Sequence, residues 1–203
     1  MAEKHPPLIP PVPPLYLASS SRYRRELLAR LGWPFECEAP DIDERPREGD
    51  SPRALAERLA LEKAKAIAAR HPEAIVIGSD QVCALGERCL GKPGSTDAQA
   101  AMLAELSGQT VTFHTAVAVV GLAAGLWRRH CDDTQVSFRR LDSTAIADYV
   151  RREPATDCAA GFKSEGLGIS LLSALKSEDP TALIGLPLIW LAGELRAVYA
   201  PHR

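Results

Sequence analysis

The feature that most constrains the fold is the run AIVIGSDQV at residues 74–82, an apolar stretch that carries Ser79, Asp80 and Gln81 near its C-terminal end. A continuous apolar run of this length, bounded by a turn, predicts a central strand that is buried on both faces. Such a strand needs helices on both sides of its sheet, so the chain is predicted to be an α/β protein.

Amphipathic segments along the rest of the chain supply these helices. Apolar residues recur at helical spacing over residues 22–33, 52–70, 96–107, 143–152 and 186–198, with Thr96 as the predicted N-cap of the third helix. Shorter apolar runs predict strands in LYLASSS (15–21), FECEAP (35–40), VTFHTAVAVV (111–120) and DDTQVSF (132–138), and an edge or loop strand in CAAGF (158–162). The predicted fold is a mixed central sheet flanked by helices, in which the runs at 111–120 and 132–138 form an antiparallel pair.

The domain organisation follows from length and from the position of the prolines. A chain of 203 residues allows one large domain, because domains typically hold roughly 150 residues and no linker or internal repeat interrupts the pattern. Prolines occupy six of the first fourteen positions, which prevents a helix there. We therefore expect a flexible lead-in over residues 1–14 and a single domain over residues 15–203.

Composition and charge exclude several classes of protein. Lys and Arg number 24 and Asp and Glu number 26, so the formal net charge of −2 lacks the positive field of a nucleic-acid-binding protein. The five cysteines include no C-x-x-C pair, which indicates reduced thiols without a disulfide framework. No apolar run reaches the roughly 18 residues of a membrane span. The sequence therefore predicts a cytoplasmic protein with no nucleic-acid or membrane partner.

Two groups of polar residues allow either a functional or a purely structural interpretation. Residues 19–25, SSSRYRR, combine hydroxyls and arginines between the first predicted strand and helix. Free backbone N–H groups at a helix start beside arginines bind phosphate, but the same residues also suit a capped helix with a solvated basic face. Asp80, near the end of the predicted central strand, is either a functional acid or a residue that caps a turn.

Together, these two groups contain the residue types of a polyphosphate site. A polyphosphate site needs cations for the phosphate oxygens, and carboxylates that hold a divalent metal or accept a proton from water. For the cations the chain offers Arg24, Arg25, Lys63 and Lys92, and for the carboxylates it offers Asp80 with Glu44 or Asp43. The spacing of these residues does not by itself show that they converge.

An ordered series of motifs runs from about Leu15 to the C-terminal part of the chain. The motifs are LASSSRYRRELL (17–28), DIDE (41–44), EKA (62–64), GSDQV (78–82), GKP (91–93), FHTAVAV (113–119) and GFKSEGLGI (161–169). This series resembles the Maf family of nucleoside triphosphate pyrophosphatases, most closely the subgroup that acts on 7-methyl-GTP. The resemblance implies an elongated α/β fold with a mixed sheet and a central cleft between two lobes, similar to inosine triphosphate pyrophosphatases.

The same resemblance implies a reaction and a set of site residues. The family cleaves between the α- and β-phosphates of a nucleotide and uses a divalent cation, for which Mg²⁺ or Mn²⁺ is expected. Asp80 matches the proton acceptor, and Glu44 with Asp80 is expected to hold the metal. The expected phosphate-binding residues are Ser19, Ser21, Arg24, Arg25, Lys63 and Lys92. The family's opening motif has proline where this chain has Arg22, a change that relaxes the loop and adds a charge.

Substrate choice is expected to depend on Tyr23, Gln81 and Glu165. A 7-methylated guanine is cationic, so an aromatic face at Tyr23 and a carboxylate at Glu165 attract it, and Gln81 is expected to hydrogen-bond the base or sugar. Two alternatives stay open: a Maf-type enzyme that prefers dTTP, UTP or other modified nucleotides, and a non-catalytic nucleotide-binding regulator of cell division. His114 is predicted to be a packed or hydrogen-bonded residue outside the site, and the last helix to be core with a possible homodimer contact.

Overall fold

The computed structural model describes residues 12–199, so most of the predicted lead-in over residues 1–14 lies outside the described residues. The strands are β1 (Leu15–Ala18), β2 (Glu36–Cys37), β3 (Ile75–Leu85), β4 (Arg88–Leu90), β5 (Thr110–Gly121), β6 (Leu126–Phe138) and β7 (Leu172–Lys176). The helices are α1 (Arg22–Ala29), α2 (Pro52–Ala68), α3 (Thr96–Leu106), α4 (Ser143–Arg152) and α5 (Leu188–Tyr199). Short 3₁₀ segments lie at Ala159–Gly161, Leu167–Leu171 and Ala182–Ile184.

One mixed sheet connects all of these strands, in the order β2-β1-β3-β5-β6-β7 with β4 also paired to β3. β1 runs parallel to both β2 and β3, whereas β5 runs antiparallel to β3 and β6. The β5–β6 hairpin turns between Gly121 and Leu126, where the sequence predicted an antiparallel pair. The prediction of a mixed central sheet flanked by helices is confirmed.

The central strand is β3, and it is buried on both faces as predicted. Successive residues of a strand point to opposite sides of the sheet, so Gly78 and Asp80 face one side and Ser79 and Gln81 face the other. On the first side α2 packs very closely, because a Cβ atom on Gly78 would overlap the backbone of Ala60 and Ala64. This close packing sets α2 against the part of β3 that carries Asp80.

On the face of β3 opposite α2, the buried apolar residues divide between the two halves of the strand, and two further clusters lie under α2 on the other face. Around the first half of β3, residues of β1, α1, β5 and α5 pack against the strand, and the cluster includes Leu17, Leu27, Ile77, Val119 and Leu191. Around its second half, residues of α3, α4 and the far ends of β5 and β6 pack together, among them Cys83, Leu103, Val111, Phe138 and Tyr149. The polar middle of β3 lies between these two cores.

Two local predictions are wrong. CAAGF is a 3₁₀ turn rather than a strand, because Ala160 and Gly161 adopt φ values of 58° and 67°, which are incompatible with extended backbone. Thr96 is the first residue of α3 rather than its N-cap, because the neighbouring hydroxyl of Ser95 accepts the hydrogen bond from the N–H of Ala98. In both cases adjacent residues of similar chemistry compete, and tertiary contacts decide between them.

The C-terminal third contains elements that were not predicted or that begin later than predicted. β7 pairs with β6 at the edge of the sheet, and no sequence pattern indicated it. α5 begins at Leu188 rather than 186, because the Thr181 hydroxyl accepts from the N–H of Leu188 and the buried Asp179 accepts from the N–H of Ile189. All five cysteines lie within the described residues and are free, as predicted. Among residues 12–199, no helix is both long and apolar enough to cross a membrane.

Candidate functional site

A change of strand partner along one edge of β3 opens a cleft. β1 pairs with β3 only as far as Ala18 and Gly78, and β4 pairs with it only from Cys83 onward. Residues 79–82 therefore have no strand neighbour on this edge, although β5 pairs continuously on the other. Asp80 consequently lies in the middle of a long strand rather than near its end as predicted. It borders the cleft at the point where β1 ends.

The cleft has a volume of about 830 Å³ and collects nearly all of the predicted site residues. Its lining includes Ser19, Ser21, Tyr23, Arg24, Glu44, Lys63, Asp80, Gln81, Lys92 and Glu165. Arg25 is exposed on α1 and does not line the cleft. These residues come from α1, α2, β3 and several loops, including the loop that follows β1, so only the tertiary fold brings them together.

Lys63 and two carboxylates form the floor of the cleft. The Lys63 Nζ lies 2.7 Å from Oδ1 of Asp80 and 2.9 Å from Oε1 of Glu44. Lys63 and Asp80 are buried, whereas the Glu44 side chain is 57% exposed and reaches the ammonium from its loop. The second oxygen of Asp80, Oδ2, makes no hydrogen bond to another described residue, so it is open to water or to a ligand in the cleft.

The carboxylates on this floor suit a divalent cation that is shared with a substrate. Among the described residues, no group of three or more His, Cys, Asp or Glu side chains is arranged to hold a metal ion by itself. Mg²⁺ commonly binds through one or two carboxylates together with substrate phosphates, and Glu44 and Asp80 offer that donor set. Asp43, the alternative acid, is instead occupied by Arg45, whose hydrogen bonds hold the pKa of Asp43 well below its usual range.

The start of α1 provides hydrogen-bonding groups on the β1 side of the cleft. Ser21 caps the helix by accepting from the N–H of Arg24, and the buried Ser19 hydroxyl accepts from the N–H of Ser21. Arg22 occupies the first helical position, where the N–H has no acceptor within the helix and proline would also fit. The replacement of proline by Arg22 therefore leaves the helix start intact.

Arg24 is the cation of α1 that enters the cleft. Its Nε donates to the carbonyl oxygen of Gly185 at 3.0 Å, while its terminal nitrogens make no hydrogen bond to another described residue. Burial lowers the pKa of Arg24, and the negative charges of Asp80 and Glu44 oppose that shift. The guanidinium is thus fixed by one bond and retains donors for an anion. Lys92 also lines the cleft, is exposed and makes no ion pair with a described residue.

Comparison with known proteins identifies the family of this chain. The family model described as "Maf-like protein" matches residues 14–198, which is most of the chain. The chain belongs to the Maf family.

Curated relatives cover nearly the whole of this Maf-family chain. A protein of Polaromonas sp. named 7-methyl-GTP pyrophosphatase is 53% identical over 90% of this chain and 83% of its own length. Proteins with the same name from Xanthomonas axonopodis pv. citri and Aromatoleum aromaticum are 54% and 52% identical, over 91% and 90% of this chain and 96% and 94% of their own lengths. The family match at residues 14–198 spans every element that builds the cleft.

In this Maf-family chain, hydrogen bonds to the protein fix the side-chain amide of Gln81, which the sequence alone did not indicate. Its amide nitrogen lies 2.9 Å from Oγ1 of Thr115 and 3.0 Å from the carbonyl oxygens of Ala182 and Leu183. The amide hydrogens are therefore directed to the protein. Only the carbonyl oxygen of Gln81, which has no hydrogen-bond partner among the described residues, is left to accept a bond from a nucleotide.

Tyr23 and Glu165 reach the cleft from two different segments of the chain. Tyr23 is half-buried on α1, and the exposed Glu165 lies on the loop that follows the 3₁₀ turn at Ala159–Gly161. That loop is held by Glu153, which accepts from the N–H of Gly168 at 3.0 Å. Lys163, for which the sequence did not distinguish phosphate contact from solvation, lies on the same loop as Glu165, lines the cleft and donates to the carbonyl oxygen of Pro154 at 3.3 Å.

Sequence reasoning missed the segment from Ala182 to Gly185, which closes the cleft beside β3. The Gly185 carbonyl oxygen accepts from both Arg24 and the buried Ser79 hydroxyl, and Gly185 adopts a φ of 124°. A glycine after an apolar triplet, in a stretch with no periodic pattern, is the only signal that indicated this turn. His114 lies outside the cleft lining and its Nδ1 lies 2.7 Å from Oδ1 of Asp133, as expected for a hydrogen-bonded histidine without a role in the site.

Proposed function

We propose that this chain hydrolyses 7-methyl-GTP to 7-methyl-GMP and pyrophosphate. The observation that carries the proposal is the floor of the cleft, where Asp80 and Glu44 both contact Lys63 beside the start of α1. This arrangement places acids next to cations, as cleavage of a polyphosphate by water requires. The relatives that are more than half identical over nearly the whole chain carry the name of this activity.

Asp80 is the group that activates water. Its Oδ1 is held by Lys63, so the carboxylate has a fixed orientation, and its Oδ2 is available to accept a proton from a water molecule in the cleft. The water attacks the α-phosphorus, the bond to the bridging oxygen of the β-phosphate breaks, and pyrophosphate leaves. Lys63 has a second contact with Glu44, and this keeps its ammonium on the floor of the cleft.

The triphosphate carries several negative charges that the protein must balance. Arg24 offers its terminal nitrogens, and Lys92 offers an ammonium that pairs with no described residue. The start of α1 offers the backbone N–H groups of Arg22 and Tyr23. A divalent cation held by Glu44 and Asp80, Mg²⁺ or Mn²⁺, would supply additional positive charge to the phosphate oxygens.

The base is recognised at the end of the cleft that carries Tyr23 and Glu165. A 7-methylguanine has a delocalised positive charge, which favours stacking on the Tyr23 ring and contact with the Glu165 carboxylate. The carbonyl oxygen of Gln81 can accept a hydrogen bond from the base or sugar. A neutral uracil or thymine gains less from these groups.

We further propose a cytoplasmic location and a small-molecule partner only. The five free cysteines agree with a reducing compartment. Self-association is compatible with the exposed Ile189 at the start of α5, which leaves an apolar side chain on the surface.

The test is hydrolysis of a panel of 7-methyl-GTP, GTP, dTTP and UTP with Mg²⁺ or Mn²⁺ in ¹⁸O-labelled water. We expect pyrophosphate and nucleoside monophosphate in equal amounts, the highest kcat/KM for 7-methyl-GTP, and the label in the monophosphate. Preference for dTTP or UTP would instead support a pyrimidine-directed enzyme. Binding of nucleotides without turnover would support a regulator, and release of orthophosphate would contradict attack at the α-phosphate.

A further inference from the structure

Glu44 reaches the floor of the cleft from a segment without regular structure. β2 ends at Cys37 and α2 begins at Pro52, and no helix or strand lies between these residues. The Glu44 side chain is more than half exposed, so packing around the carboxylate does not hold it. Its contact with Lys63 therefore depends on whatever fixes the surrounding loop.

Arg58 of α2 makes several of the contacts that hold this loop. Its Nε and one terminal nitrogen donate to Oδ2 of Asp50 at 3.1 and 2.6 Å, and the same terminal nitrogen donates to the carbonyl oxygen of Arg45 at 3.1 Å. The other terminal nitrogen donates to Oε2 of Glu62 at 3.2 Å. The side chains of Arg58 and Asp50 are only 15% and 14% exposed, which separates this ion pair from the solvated pairs elsewhere on the surface.

These contacts lie on both sides of the meeting point of Glu44 and Lys63. Arg45 follows Glu44 in the chain, and Glu62 precedes Lys63. The Asp50 carboxylate also accepts from the N–H of Arg47, which closes a turn at residues 47–50. The Arg58 guanidinium, together with the Arg47–Glu62 ion pair at 3.0 Å, thus holds the loop that carries Glu44 against the helix that carries Lys63.

We propose that Arg58 is a positioning residue that sets the Glu44 carboxylate against Lys63 on the floor of the cleft. The planar guanidinium has donors in several directions, and it uses them for Asp50, Arg45 and Glu62 at once. A lysine at this position cannot make all three contacts. The expected effect on hydrolysis rests on the proposed function, whereas the expected effect on the order of the loop does not.

The first test measures the loop directly by amide hydrogen exchange in the whole protein. The N–H groups of Arg47 and Asp50 are the reporters, since each forms a hydrogen bond inside the turn. In Arg58→Gln and Arg58→Lys we expect exchange to be faster by about tenfold at these amides, with α3 and β5 unchanged. The matched control is Arg53→Gln on the same helix, which removes bonds to Glu57, to Asp133 and to the carbonyl oxygen of Cys131, none of which lies in the loop that carries Glu44. Unchanged exchange in both Arg58 variants would overturn the proposal.

The second test asks whether Arg58 acts through Glu44. We expect Arg58→Gln to lower kcat/KM for 7-methyl-GTP by about tenfold, to raise the Mg²⁺ concentration needed for half-maximal rate, and to have no further effect in a Glu44→Gln background. Losses that simply multiply in the double variant would contradict the positioning role. If Arg58→Gln does not fold, Asp50→Asn weakens the same contact and should produce the same pattern. If the wild type hydrolyses no nucleotide, the proposed function fails while hydrogen exchange still decides whether Arg58 orders the loop.

Discussion

Lys63 and Asp80 meet where α2 packs on β3, with the Lys63 Nζ 2.7 Å from Oδ1 of Asp80 and both residues buried. The contact requires close approach of the helix to the strand, and the absence of a side chain at Gly78 permits that approach. It leaves one oxygen of Asp80 facing the cleft. The ion pair on the floor of the cleft therefore depends on the close packing of α2 against β3.

Replacement of Asp80 by Asn should abolish most hydrolysis while the protein still folds. The amide preserves the shape but cannot accept a proton from water, and loss of a general base typically lowers rates by about 10² to 10⁴. Glu44 still pairs with Lys63, so the buried ammonium keeps one partner. Pyrophosphate release and circular dichroism check the two parts of this prediction. A rate near that of the wild type would remove Asp80 from catalysis.

Lys92 lines the cleft and Arg25 does not, although the sequence predicted phosphate binding for both. Lys92→Ala should raise KM for 7-methyl-GTP, because a charge-assisted hydrogen bond to phosphate contributes roughly 1.5–3 kcal/mol. Arg25→Ala serves as the matched control and should have little effect, since Arg25 is exposed outside the cleft lining. Steady-state kinetics of both variants test this difference. A larger loss in Arg25→Ala would mean that the phosphates lie along the outer face of α1.

Replacement of Glu165 by Gln should narrow the preference for the methylated base. A neutral amide no longer attracts a cationic guanine, so kcat/KM for 7-methyl-GTP should fall relative to that for UTP. Stacking of the cationic base on Tyr23 contributes about 0.5–2 kcal/mol and should persist in this variant. Competition between the two nucleotides in one reaction measures the ratio directly. An unchanged ranking would show that Glu165 does not select the base.

Gln81→Glu should destabilise the protein. The new carboxylate would face the carbonyl oxygens of Ala182 and Leu183, which now accept hydrogen bonds from the Gln81 amide. The Ala182 oxygen keeps its bonds from Thr115 and Gly185, but the Leu183 oxygen loses its donor, which costs about 1–3 kcal/mol, and the added charge should increase the loss. Urea denaturation gives the free energy of unfolding, and Gln81→Met is the control that removes the bonds without adding a charge. Equal stability of the Glu variant and the wild type would contradict the observed orientation of the amide.

Gly78→Ala should weaken both folding and activity. A methyl group would overlap the backbone of Ala60 and Ala64, so α2 must move away from β3, at a cost of about 1–3 kcal/mol or more. The control is Gly193→Ala in α5, where nothing lies within 4 Å of the added atom and helix propensity predicts a gain of about 0.5–1 kcal/mol. Thermal or urea unfolding compares the two. Destabilisation of similar size in both variants would indicate a general intolerance of β-carbons rather than a close helix–strand contact.

Local patterns were sufficient to predict the regular elements that have a strong periodicity. The apolar run at 74–82, the amphipathic helix α2 and the β5–β6 pair all carry such patterns, and the structure contains each of them. Predictions failed at Thr96 and in CAAGF, where neighbouring residues have similar local preferences. β7 was missed because an edge strand needs no strong alternation when only one neighbour and one face hold it.

The sequence by itself determined the α/β class, the motifs of the Maf family and the residue types available for a polyphosphate site, because these depend on local pattern and chemistry. Only the tertiary structure decided that Arg24 enters the cleft while Arg25 does not, that the Gln81 amide is directed to the protein, and that Arg58 holds the loop carrying Glu44. These outcomes depend on contacts between residues far apart in the chain, such as Gln81 with Leu183. Local periodicity carries no information about which distant carbonyl or carboxylate a side chain will meet.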